Sequence, residues 1–274
     1  MTSACVKIYY RKVMDSNEQA NSAVSSVDPL SGSCHQPHLL QARVNDAVNR
    51  RPEAYRSPWL DPGYRCQFQE IERAVTDQLR EFTGGDLTGR KVLDIGCGAG
   101  GWLREFVKWG ARPADLVGVD ALPERVREAR EKCPPGVQLF CGGAENLEFA
   151  DESFDIIMLF QALTLMLDPA LRRRVAAEAL RVLKPKGVIL IYDYRYGRPE
   201  MKGLLAPVTQ DEIRGLFPNC RVDVRSIHPF PPVSRRLARI WRPAWNLLNL
   251  FPPLRTCNFA MVTKISRQGS QSPR

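Results

Sequence analysis

The sequence predicts an α/β fold, doubly wound, with a seven-stranded and mostly parallel sheet whose last strand is antiparallel. The short apolar run Val92-Leu93-Asp94-Ile95 ends in Gly96-Cys97-Gly98-Ala99-Gly100-Gly101 and then opens a helical pattern near Trp102, giving strand, turn and helix within a few residues. Apolar runs and helical patterns then alternate along the chain. One of these runs, Phe154 to Gln161, is continuous, as in a strand buried on both faces of a parallel sheet.

The chain has 274 residues, 44% hydrophobic and 25% charged, which suits one soluble domain with appendages. It contains no apolar run of the roughly 18 residues a membrane span needs. A basic start followed by an apolar segment is also missing, so no signal peptide is expected. The eight cysteines are scattered without a C-x-x-C pair and there are only three histidines, which argues against a metal site or a disulfide framework and for a reduced, cytoplasmic setting. The net charge of +9 is concentrated late: from Arg195 onward there are 14 lysines and arginines against 4 acids. Such a surface suits phosphates, an anionic acceptor or a lipid surface, and equally a solvated face.

Taken in order, residues 1–50 are rich in Ser, Asn, Gln and Ala and read as a disordered arm. Tyr55, Trp59 and Tyr64 follow among Arg and Pro, either as part of a lid or as simple capping of the core. A helical pattern then runs through Phe68, Ile71, Ala74, Val75 and Leu79. The glycine-loop strand spans 91–95, and a second strand, 116–119, ends at Asp120. A charged outer helix, Arg125 to Lys132, leads to a third strand at 137–141 and to Gly142-Gly143-Ala144-Glu145. After the fourth strand, a helix from about Pro169 to Leu183 precedes the turn Lys184-Pro185-Lys186-Gly187 and a fifth strand at 188–192. A helix near 210–217 and strands at 221–227 and 256–263 close the domain, the two strands forming an antiparallel pair. Between them an insertion at about 229–253 carries an apolar stripe with Arg235, Arg236, Arg239 and Arg242, divided by Pro243. This insertion either packs on its own domain or contacts an anionic membrane surface peripherally. Residues 51–265 are thus the domain, and 266–274 a disordered tail.

Glycines at this spacing let backbone approach a ligand closely, with helix N–H groups aimed at it. Gly96, Gly98 and Gly101 satisfy the dinucleotide pattern G-x-G-x-x-G with Asp120 about 20 residues on. Asp94, two residues before the first glycine, favours another reading. Leu93-Asp94-Ile95-Gly96-Cys97-Gly98-Ala99-Gly100, together with Phe154-Asp155-Ile156-Ile157 and Arg181-Val182-Leu183-Lys184-Pro185-Lys186-Gly187, resembles the motifs of class I S-adenosylmethionine (SAM) methyltransferases. The resemblance covers roughly Phe68 to Ile265.

What the resemblance implies is a SAM site formed by Asp94, Gly96, Cys97, Gly98, Gly100, Asp120, Ala121, Ala144, Glu145, Phe160 and Gln161. Asp120 would take the ribose hydroxyls. Relatives carry an acid at the position of Gly143 that reaches the adenine amino group; here Glu145 replaces it or the contact is absent. The histidines that relatives place after the fourth strand correspond to Thr164 and Leu165. Asp193, Tyr194 or His228 is left as a base or orienting group, with proximity as the alternative. Asp193 equally suits a capping role, and His228 a structural one. No Asn/Asp-Pro-Pro-aromatic run or nucleophilic cysteine follows the fourth strand, which lowers nucleic-acid bases as acceptors. The expected activity is O-methylation of a small molecule or sugar, a glycan included; the rivals are an RNA-modifying methyltransferase and a non-catalytic scaffold of the same fold.

Overall fold

The computed structural model describes residues 60–197, 201–229, 231–241 and 243–265, with backbone alone at 231–233 and 235. The expectations for the arm, for Tyr55 and Trp59, and for the tail lie outside these residues.

Helix α1, Pro62–Thr83, starts earlier than its apolar periodicity suggests. Asp61 accepts the Tyr64 N–H at 2.8 Å, and Pro62 occupies the first turn, where no intrahelical N–H is needed. Its apolar face, including Ile71, Val75 and Leu79, is buried. The chain then alternates through β1 (Val92–Ile95), α2 (Gly101–Lys108), β2 (Leu116–Asp120), α3 (Pro123–Lys132), β3 (Gln138–Cys141), β4 (Phe154–Phe160), α4 (Pro169–Val182), β5 (Leu183–Tyr194), α5 (Gln210–Leu216) and β6 (Cys220–Pro229). Two insertion helices, α6 (Pro231–Ile240) and α7 (Pro243–Asn249), precede β7 (Arg255–Lys264).

The sheet order is β3-β2-β1-β4-β5-β7-β6. The first five strands pair in parallel, and β7 runs antiparallel to both β5 and β6. The antiparallel strand therefore lies inside the sheet, and β6 forms the edge. Strand β5 begins five residues before the expected Val188, because Leu183 pairs with Phe154 and a register shift between Phe154 and Ile156 absorbs the Lys184–Gly187 segment.

Side chains alternate across the sheet and build two cores. One face packs Leu93, Ile157, Leu159, Ile189 and Ile191 against α4 and α5. The other packs Val92, Met158, Leu190 and Tyr192 against α1 and α2. Within the insertion, α6 and α7 are fixed to α1 by polar contacts: Arg239 pairs with Asp61, and Glu70 accepts the Trp245 indole N–H at 2.9 Å and the Asn249 amide at 2.6 Å. Of the expected apolar stripe, Ala244 is buried and Leu248 half-buried. Of the insertion's large apolar residues Trp245 turns inward, whereas Leu237, Ile240, Trp241, Leu247 and Phe251 stay exposed.

Candidate functional site

The carboxyl end of β1 continues into a loop with three left-handed glycines, Gly96 (φ 78°), Gly98 (φ 53°) and Gly100 (φ 70°). A side chain at Gly96 would also collide with Ala162, whose Cβ lies 2.9 Å from the position a Cβ would take. The loops after β1 and β4 therefore touch at that point. Gly96 and Cys97 donate to the Val119 carbonyl at 2.8 and 3.1 Å, tying the loop to β2. Asp120, at the end of β2, accepts the Gly98 N–H at 2.8 Å on one oxygen and the Leu122 N–H at 2.9 Å on the other. Each carboxylate oxygen retains acceptor capacity. Ala121, half-buried, separates the two.

Asp94 is buried beneath this loop, and its Oδ2 has no hydrogen-bond partner in the structure. Burial, reinforced by the negative charge of Asp120, pushes its pKa up to about 8. Burial likewise raises Asp120, against the two N–H groups it accepts. Cys97 is buried and held as a thiol by the same desolvation and by both aspartates, so a small packed side chain describes it best.

After β3 the backbone passes Gly142 and Gly143, and the Glu145 carboxylate folds back over Gly143. A Cβ on Gly143 would lie 2.8 Å from Glu145 Oε1. The acid of residue 145 thus fills the volume that a side chain at 143 would claim.

At the end of β4, Gln161 adopts a left-handed conformation (φ 57°) and donates its N–H to the Tyr192 carbonyl at 2.6 Å. Phe160 belongs to a row of rings along the α1 face of the sheet. Phe68 stacks on Trp102 at 5.4 Å, Trp102 meets Phe160 at 5.0 Å, Phe160 meets Tyr192 at 6.1 Å, and Tyr192 meets His228 at 5.7 Å. Four of these residues come from α1, α2, β4 and β5, and His228 from the sheet edge.

The three expected proton-handling residues do not converge. Asp193 is fully buried on the α4 side, one position along β5 from Tyr192 and so on the opposite face. Its carboxylate accepts the N–H groups of Thr164 and Tyr194 at 3.3 Å, and its pKa is pushed up to about 8 by burial, against those bonds and the nearby Arg172 charge. Arg172, itself buried, donates to the carbonyls of Leu163, Met166 and Ala206. Thr164, at a position where relatives place histidine, donates its hydroxyl to the Ala206 carbonyl at 2.9 Å. Asp193, Thr164 and Arg172 therefore brace the loop after β4, a role different from the expected capping of the next element. Tyr194 lies partly buried on the α1 side.

His228 has a positive φ of 39°, which breaks the strand alternation and brings its ring to the same side as Ile227. Its Nε2 is 2.6 Å from Tyr192 Oη, which also accepts the Gln67 amide at 3.3 Å. Sequence reasoning passed over Tyr192, although it stands two residues before Tyr194 and so on the same face. Gln67 and Trp102 were also missed, since neither a helical glutamine nor a tryptophan in a first turn has a distinguishing pattern. Among the described residues, no cluster of three or more His, Cys, Asp or Glu side chains is placed to hold a metal ion. No described helix is long and apolar enough to cross a membrane.

A family model described as a methyltransferase domain matches residues 92–187, from β1 to the start of the fifth strand's core. A phthiotriol/phenolphthiotriol dimycocerosates methyltransferase of Mycobacterium ulcerans is 34% identical over 117 residues, 42% of each chain. A 2-methyl-6-phytyl-1,4-hydroquinone methyltransferase of Synechocystis is 37% identical over 139 residues, 49% of this chain and 42% of that protein. The chain thus spans about two fifths of the length of these relatives. Among solved structures, a SAM-dependent methyltransferase of Methanosarcina mazei superposes with a TM-score of 0.51 at 20% identity, over 69% of this chain and 97% of that one. A putative sarcosine dimethylglycine methyltransferase of Galdieria sulphuraria gives 0.53 at 18% identity, over 73% and 88%. Residues 92–187 of this chain thus match a methyltransferase domain, and its sheet shares the fold of solved SAM-dependent methyltransferases.

Proposed function

We propose that the chain transfers a methyl group from SAM to a hydroxyl oxygen of a small-molecule or sugar acceptor. The observation that carries the cofactor assignment is the buried, unpartnered Asp94 Oδ2 beside the Asp120 carboxylate. A dinucleotide pyrophosphate beside Asp94 would add negative charge to a site where burial and Asp120 already disfavour ionisation of that acid. SAM brings a sulfonium and an ammonium, both cationic, and an ammonium donor satisfies the oxygen that the fold leaves without one.

The residues fit the cofactor along its length. Asp94 would face the amino-acid end, and the loop Gly96, Cys97, Gly98 and Gly100 would admit it closely. Asp120 would hold the ribose hydroxyls, with Ala121 beside it. The Ala144 backbone and the Glu145 carboxylate would meet the adenine, and Phe160 and Gln161 would border the reacting end. When bound, SAM supplies an electrophilic methyl group on a positively charged sulfur.

The rest is the work of this chain's own residues. The rings of Phe68, Trp102 and Phe160 exclude water and orient an acceptor, which by itself supplies much of the rate. Tyr192 Oη accepts from Gln67 and lies 2.6 Å from His228 Nε2, and in the His228 tautomer protonated at Nδ1 it would donate its own hydrogen there. An acceptor hydroxyl displacing the Gln67 amide would pass its proton to Tyr192 Oη as Tyr192 passes its own to His228. The relatives named for phthiotriol dimycocerosates and for a phytyl hydroquinone support a small-molecule acceptor.

Calorimetric titration with SAM and, separately, with NADH tests the reading. Micromolar-range SAM binding that Asp120→Ala abolishes in a folded protein is the expected result. NADH binding in its place, or SAM binding indifferent to Asp120, would overturn it.

A further inference from the structure

Among the described side chains of helix α6 the buried ones are small, Ser234 and Ala238, while Leu237 and Ile240 are exposed. The connection and α7 continue this outer face. Ile240 is 86% exposed, Trp241 56%, Leu250 70% and Phe251 56%. Ordinary amphipathic helices put their large apolar side chains on the core, so burial in this domain does not account for these.

The helices are nevertheless held firmly. Arg239 pairs with Asp61 and Glu70 grips Trp245 and Asn249, so the apolar face is presented by a fixed support. The segment's own charge has one sign: residues 230–254 contain Arg235, Arg236, Arg239 and Arg242 and no carboxylate. Large exposed apolar side chains with a tryptophan, in a segment whose charged residues are all arginines, match the chemistry of an anionic lipid headgroup region above acyl chains. A soluble acidic protein would satisfy the charge but leave Ile240, the most exposed of the set, without an apolar counterpart.

We propose that the outer face of α6 and α7 docks on an anionic bilayer, with Ile240, Trp241, Leu250 and Phe251 entering the headgroup boundary and Arg236 meeting lipid phosphates. This docking goes beyond the methyl-transfer reading and needs no cofactor, so the two stand or fall separately.

Co-flotation of the purified full chain with extruded vesicles tests it. The expected result is binding to vesicles of phosphatidylcholine mixed with phosphatidylglycerol, weak binding to phosphatidylcholine alone, and loss of binding at high salt. The triple variant Ile240→Ser/Trp241→Ser/Leu250→Ser should lower partitioning by about tenfold or more, because each change removes exposed apolar surface. Arg236→Glu should weaken binding to the anionic vesicles selectively. Far-UV circular dichroism and the urea midpoint of the triple variant should stay close to wild type, since each of its three replaced side chains is more than half exposed. Flotation indifferent to phosphatidylglycerol, or unchanged in the triple variant, would overturn the proposal. A wild-type chain that stays aqueous would overturn it as well. If that chain is a dimer that the triple variant converts to monomer, the face belongs to a second copy; if it is a monomer, the face is covered by the chain's own remaining residues.

Discussion

Tyr192 and His228 stand on strands with β7 between them, yet Tyr192 Oη and His228 Nε2 are 2.6 Å apart in a fully buried setting. The left-handed backbone at His228 makes this approach possible. Tyr192→Phe keeps the ring and removes the hydroxyl, leaving the His228 and Gln67 side chains without that partner. Urea denaturation should show a loss of about 1–3 kcal/mol. Methyl transfer should fall by roughly two orders of magnitude with SAM affinity unchanged, if the pair takes the acceptor's proton.

Asp94 gives the cofactor-free protein an inverted pH dependence. Its folded pKa of about 8 lies above the ordinary carboxyl value of 3.8, so the folded state holds a proton that the unfolded chain has released. The stabilisation is complete below the unfolded value and is lost as pH rises toward about 8. Asp193 acts in the same direction over the same window. Asp94→Asn should flatten part of this slope and raise stability above pH 8 by on the order of 1–3 kcal/mol, measured by urea midpoints across the range. SAM should bind the wild type more tightly as pH rises to about 8 and release a proton below it, which calorimetry in buffers of different ionisation enthalpy detects.

Two glycines of the loop should respond oppositely to alanine. Gly96→Ala forces a side chain into a left-handed backbone and against Ala162, and should cost about 1–3 kcal/mol. It should abolish SAM binding as well. Gly101 opens α2 with nothing within 4 Å of its prospective Cβ. Gly101→Ala should be neutral or stabilising by about 0.5–1 kcal/mol. Thermal unfolding of the two variants side by side checks the contrast.

Glu145 and Gly143 form an exchangeable pair. Glu145→Ala should weaken SAM binding by about tenfold by removing one hydrogen-bonding acceptor. Gly143→Asp alone should also weaken it, since the new side chain collides with the Glu145 carboxylate. The double variant Gly143→Asp/Glu145→Ala should recover affinity, which titration of the three proteins resolves.

The parallel half of the sheet was readable from sequence because its strands are continuous apolar runs. Leu116–Asp120 and Phe154–Phe160 differ from their expected limits by one residue. Leu183–Tyr194 was read short because Lys184, Pro185, Lys186 and Gly187 look like a turn, and only the bulge opposite Phe154 shows how they stay in the ladder. The helix entry at Asp61-Pro62 was present in the sequence as a capping signal, though the apolar periodicity that guided the reading begins later. At the site, the glycine loop and the acids at 94 and 120 were legible because their spacing is local. The Tyr192–His228 contact was not: it depends on strand order and on one positive φ, neither of which leaves a local pattern. Asp193 shows the converse, a conspicuous acid at a strand end whose direction is set by the side-chain alternation along β5.

Glu70 gives α1 a mechanical role. One carboxylate accepts hydrogen bonds from the backbone of His228, the indole of Trp245 and the amide of Asn249, and Gln67 and Phe68 project from the preceding turn of the same helix. One side chain thus cross-links the arginine-rich insertion, the backbone turn at His228 and the helix that carries Gln67 and Phe68.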